Sequence, residues 1–105
     1  MTLTFGISAQ EKELHSTAEI LSEVLKVKFV RHDSSFYGGD YYLAEVPEGE
    51  IYLQSNFDYL HDDDFEPEWP RDHLILYLAG EDDQSLDKAA ESLKTTQQIG
   101  VVRLK

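Results

Sequence analysis

The sequence has no cysteine, which excludes disulfides, thiolate metal centres and cysteine nucleophiles and fits a reducing compartment. It is poor in basic residues: nine Lys and Arg stand against 21 Asp and Glu, a net charge of −12. A field of that sign repels nucleic acid and anionic membrane surfaces and attracts cations and basic proteins. Long apolar runs are missing, and no stretch approaches the roughly 20 residues that cross a bilayer. The N-terminal Met-Thr-Leu-Thr-Phe-Gly lacks the basic and apolar regions of a secretory signal. There is no Gly-x-Ser-x-Gly elbow, and Gly38-Gly39 leads into a strand without the helix or Lys of a phosphate-cradling loop. His15, His32, His61 and His73 show neither HxH nor HxxxH spacing, and the most acidic segment contains no Gly to close a calcium loop. The expectation is a cytoplasmic, soluble protein that is not an enzyme and has no catalytic residue, cofactor or specific metal.

What is present is enough for one domain spanning residues 1–105. Thr2 to Ile7 reads as a strand, with Leu3, Phe5 and Ile7 on one face and Gly6 weakening its interior. Ala9 to Leu25 reads as an amphipathic helix: Leu14, Ala18, Leu21 and Leu25 form an apolar stripe flanked by Thr17 and Val24. Ser8 and Glu11 have the spacing of a capping box. Val27 to Asp33 is a second strand, residues 34–40 a loop around the Gly pair, and Tyr41 to Val46 a third strand. Pro47-Glu48-Gly49-Glu50 suits a turn with a bulge, which makes the flanking strands hairpin neighbours. Leu74 to Ala79 is apolar throughout, as a strand covered on both faces requires. Ser85 is positioned to cap a second helix with Leu86, Ala89, Ala90 and Leu93 inward, and Gln98 to Leu104 closes the chain as a strand. The order β-α-β-β-β-β-α-β predicts an α+β two-layer sandwich: a mainly antiparallel sheet of five or six strands with two helices on one face.

The chain is organised around residues 51–69. Ile51, Leu53, Ser55 and Phe57 alternate with Tyr52, Gln54 and Asn56, the period of a pleated strand. The strand runs into a loop holding Asp58, Asp62, Asp63, Asp64, Glu66 and Glu68 with no Lys or Arg, half of the net charge in eleven residues. Tyr59, Phe65 and Trp69 lie among these acids, and Pro67 and Pro70 restrain the loop's end. The loop, from Asp58 to Asp72, is long for a connection without a role; a helical turn over Tyr59 to Phe65 is an alternative to plain loop. Phe57 and Phe65 are expected in the core and Tyr59 at the surface, while Trp69 fits either place. Tyr and Trp are common interface anchors, and acids around them steer a basic partner. The partner-binding residues expected are therefore Asp58, Tyr59, Asp62, Asp63, Asp64, Glu66, Glu68 and Trp69, extended by Tyr37, Asp40 and Tyr42. Carboxylates spaced along such a loop can also occupy the phosphate positions of a nuclease.

The leading helix, the Gly-Gly-Asp-Tyr-Tyr entry to the hairpin (Gly38 to Tyr42), the strand ending Gln-Ser-Asn-Phe (Gln54 to Phe57), the acidic loop and the strand Leu74 to Leu78 together resemble immunity proteins of bacterial polymorphic toxin and contact-dependent growth inhibition systems. That resemblance is one of layout across most of the chain, without a shared inhibitory motif. It implies an antitoxin-like inhibitor that binds a cognate toxin domain, often a basic nuclease, and blocks it without turnover. The alternative expectation is a small structural or regulatory subunit of a larger assembly.

Overall fold

The computed structural model describes residues 2–34, 39–46, 49–58, 61–81 and 83–105. The chain is α+β. Strand β1 (Thr2–Gln10) leads through a 3-10 turn (Glu11–Glu13) into helix α1 (Leu14–Leu25). Four strands follow, β2 (Val30–Ser34), β3 (Gly39–Val46), β4 (Gly49–Ser55) and the short β5 (Phe57–Asp58). Then come β6 (Asp63–Asp64), β7 (His73–Gly80), helix α2 (Asp83–Thr95) and β8 (Val101–Arg103). Six strands form one sheet in the order β2-β3-β4-β7-β1-β8, and every neighbouring pair is antiparallel. β5 and β6 make a separate two-stranded ribbon within the acidic loop.

Several boundaries differ from the sequence expectation, each for a local reason. Ser8 to Gln10 extend β1 instead of starting the helix, because Ala9 is buried in the core and the Ser8 N–H donates to the Gly100 carbonyl at 2.9 Å. The capping role expected of Ser8 and Glu11 passes to Gln10 and Glu13, whose carboxylate accepts the Gln10 N–H at 3.0 Å. β2 starts at Val30, three residues later than expected, after Lys26 ends α1 in the left-handed conformation at φ 57°. α2 starts at Asp83, so Ser85 lies inside its first turn and does not cap it. The β3–β4 pairing is regular from Val46 opposite Gly49 to Tyr41 opposite Gln54, so it carries no bulge. Gly49 is required there: a Cβ would clash with the Ala79 carbonyl oxygen and lie 2.8 Å from Gly80 Cα.

Alternation sorts the strand side chains onto two faces. Leu3, Phe5 and Ile7 pair with Leu78, Leu76 and Leu74, and Ile51 and Leu53 pair with Leu78 and Leu76 from the other side. All are buried against Ala18 and Leu21 of α1 and Leu86, Ala90 and Leu93 of α2. Each such side chain contributes roughly 1.5–3 kcal/mol relative to exposure. Central strand β7 is also buried on its second face, where Ile75 is fully covered, which accounts for its uninterrupted apolar sequence. Among the described residues no helix packs on that second face; Trp69 of the acidic loop lies there, against Gly6 beside Ile75.

Candidate functional site

The acidic loop is not a loose excursion from β4. It folds back across the outer face of the sheet, and Asn56 holds it there. β4 ends at Ser55, and Asn56 keeps the sheet contact by donating its N–H to the His73 carbonyl at 3.0 Å. Its carbonyl accepts the Phe65 N–H at 2.8 Å. The fully buried side chain closes the loop: Nδ2 donates to the carbonyls of Glu66 (2.9 Å), Trp69 (2.8 Å) and Pro70 (3.2 Å), and Oδ1 accepts the Glu66 N–H at 2.8 Å. One side chain thus satisfies backbone groups from three places in the loop, a common use of asparagine in turns.

Trp69 is the loop's apolar anchor. Its ring lies against Gly6 of β1, with the face of the ring where a side chain at residue 6 would project. A Cβ there would lie 2.5 Å from Trp69 Cε2. The indole also meets His73 edge-on, with ring centroids 6.0 Å apart. Trp69 is therefore half-buried against the sheet, which decides between the two places the sequence allowed.

The six acids divide by use. Asp58 is buried, and its carboxylate accepts the His61 N–H at 3.3 Å and lies 2.6 Å from His61 Nδ1. Asp64 is paired with Arg71 Nε at 2.8 Å, and the Arg71 guanidinium stacks 4.7 Å from the centre of the Phe57 ring. Glu66 is only 4% exposed and takes the Lys105 ammonium at 3.0 Å. These three, expected as partner-binding residues, instead hold the loop together. Asp62, at the left-handed turn of the ribbon (φ 51°), and Asp63 are exposed, and neither is in an ion pair among the described residues. Asp63 accepts the Asp64 N–H at 2.8 Å, which fixes its orientation. Glu68 is exposed, 4.0 Å from Lys105 Nζ. The outward acidic surface is thus Asp62, Asp63 and Glu68. Residues 61–65 form no helical turn; the strand pairs Phe57–Asp64 and Asp58–Asp63 replace it. Tyr59 and Tyr37 lie outside the described residues.

Tyr42 does not extend this surface. It faces the helices, is 8% exposed, and its hydroxyl lies 2.7 Å from His15 Nδ1. Asp40 is on the same side, paired with Arg31, and both residues line an open cleft of about 800 Å³ under the start of α1. The outer face instead carries Tyr41, stacked on His32 at 5.2 Å and followed by Tyr52 at 6.3 Å. The hairpin register places Tyr41 opposite Gln54, hence on the Tyr52 side. Period-two counting along both strands contained that signal. For Asn56 the sequence carried none beyond its position at the end of a strand.

Tyr77 sits on this outer face, opposite Tyr52. Burial raises its pKa above the ordinary 10.0, and the nearby carboxylates of Glu66 and Glu68 raise it further. The unfolded chain then ionises first as pH rises through about 10, so stability is complete below that pH and falls above it. Tyr77→Phe is expected to remove most of this alkaline loss, measured as the slope of urea-unfolding free energy between about pH 9 and 11.

Among the described residues no cluster of His, Cys, Asp or Glu forms a metal cage, and no helix is long and apolar enough to cross a membrane. No protein-family model matches this chain, and no curated protein matches it.

Proposed function

We propose that this chain is an antitoxin-like immunity protein, a cytoplasmic stoichiometric inhibitor that covers a basic toxin domain with the outward acids of the 58–69 loop. The carrying observation is the division of labour in that loop. Asn56, Trp69 and Glu66 hold it against the rest of the chain and Asp58 and Asp64 brace it from within, while Asp62, Asp63 and Glu68 remain directed at solvent. A pre-ordered acidic ribbon loses little conformational entropy on binding and attracts cationic surfaces from a distance. Nuclease active sites bind phosphates with cationic side chains, so a nuclease is the toxin class best matched to such a ribbon.

The test is capture from a lysate of the native organism at low salt, elution with rising salt, and identification of the bound chains. One basic domain at one-to-one stoichiometry is expected. Substituting Asp62→Asn, Asp63→Asn and Glu68→Gln together is expected to weaken its binding about tenfold or more, while Asp64 is left to hold Arg71. Binding that ignores the triple substitution places the interface elsewhere. A second reading, a small structural or regulatory subunit, is favoured by the aromatic row His32, Tyr41 and Tyr52, an aromatic contact surface with Glu50 at its margin. Recovery of a permanent multi-subunit assembly in the same experiment selects it.

A further inference from the structure

We propose that the chain self-associates through β2, pairing antiparallel with β2 of a second copy about a two-fold axis at His32, so that the two sheets become one.

β2 is an edge of the six-stranded sheet, and among the described residues no element covers or pairs with its outer side. Natural edges are usually guarded by proline, a bulge, shortness or unfavourable charge. The other edge strand, β8, is only three residues long, and self-pairing about Val102 would set Arg103 against Val101. β2 has five residues, no proline and a regular register with β3. Its Val30 is 49% exposed, one of two large apolar side chains so open among the described residues.

The charges of Val-Arg-His-Asp-Ser are complementary to themselves. In an antiparallel pairing centred on His32, Arg31 stands opposite the second copy's Asp33, and Asp33 opposite its Arg31. Within one chain, Asp33 stands directly across from Asp40, a like-charge cross-strand pair that is unfavourable. The nearest cation, Arg31, pairs with Asp40 through one terminal nitrogen, and its side chain is 65% exposed, which leaves its other guanidinium donors open to a second carboxylate. A second copy supplies Asp33 with its own arginine, twice in the symmetric dimer. An axis normal to the sheet keeps the helices of both copies on one side. The row Tyr52, Tyr41 and His32 then continues across the axis on the other side. β2 lies three strands from β7, about 14 Å, so the acidic loop of each copy stays open and the inference does not depend on what that loop binds.

The full chain is tested by sedimentation equilibrium over a concentration series in about 0.15 M salt, where charges beyond about 8 Å are screened but contacting pairs are not. A reversible monomer–dimer equilibrium is expected. Arg31→Glu or Asp33→Arg alone turns both cross-strand pairs repulsive and is expected to weaken the dimer about tenfold or more. Mixing the two variants restores both attractions, so native mass spectrometry is expected to show mainly the mixed dimer, with affinity within about threefold of the parent. Asp33→Arg also faces Asp40 favourably, so its monomer is expected to fold. A measurement without variants is amide exchange: the protection of residues 30–34 should rise with protein concentration. A chain that is monomeric at every concentration, or a dimer insensitive to both variants and their mixture, overturns the proposal.

Discussion

Asn56→Ala is expected to destabilise the protein by about 3–4 kcal/mol, read as a fall of roughly 15 °C in the thermal midpoint. The argument is one of unmet polar groups. Truncation takes the Asn56 partner from the Trp69 carbonyl and the Glu66 N–H beside a fully buried side chain, while the Glu66 and Pro70 carbonyls keep the N–H groups of Trp69 (3.0 Å) and His73 (3.2 Å). Each group so stranded costs about 1–3 kcal/mol, less whatever a water entering the gap restores. The loss spreads, because the loop seats Trp69 on the outer face of the sheet against Gly6, whose strand partner Ile75 is fully buried. Limited proteolysis should therefore cut between 58 and 70 in the variant and leave the parent intact. Asn56→Asp has nearly the same shape but directs a carboxylate at three carbonyl oxygens. It is expected to be less stable than the alanine variant at neutral pH and to recover in part on acidification, when the neutral acid can donate. An alanine variant within about 0.5 kcal/mol of the parent would mean the loop is held by other contacts.

Gly6→Ala is expected to cost about 1–3 kcal/mol and to lift Trp69 from the sheet. The added methyl lies in the plane of contact with the indole, 2.7 Å from Cε3, and the ring cannot stay where it is. Trp69 is the only tryptophan in the chain, so its emission should shift to the red without interference. A double-mutant cycle separates this clash from any strain in the strand: Gly6→Ala added to Trp69→Ala should cost little further, because the group it strikes is gone. An additive cycle would place the cost of Gly6→Ala in β1 itself.

The local pattern of hydrophobic residues determined the layers. The stripe Leu14, Ala18, Leu21 and Leu25 marks α1 because helical spacing leaves no other face for it, and the alternation in 41–46 and 51–55 marks a hairpin. The unbroken apolar run of β7 announced a strand covered twice. None of these depends on distant parts of the chain. The site was less legible. The run Asp62-Asp63-Asp64 looks uniform in sequence, yet Asp64 is tied to Arg71 while its two neighbours face solvent. Glu66 looks like its neighbours and is buried, because Lys105, 39 residues away, arrives beside it. Likewise Tyr41 and Tyr42 are adjacent and similar, and only the sheet decides that one meets Tyr52 outside and the other meets His15 under the helix.

By itself, then, the sequence determined an acidic α+β sandwich with a charged aromatic loop after its fourth strand, since period, charge and composition are local properties. Tertiary structure alone decided that the loop is a lid on the sheet. The groups that hold it, Gly6, Asn56, Arg71 and Lys105, come from four separate places in the chain, and their partners exist only once those places meet.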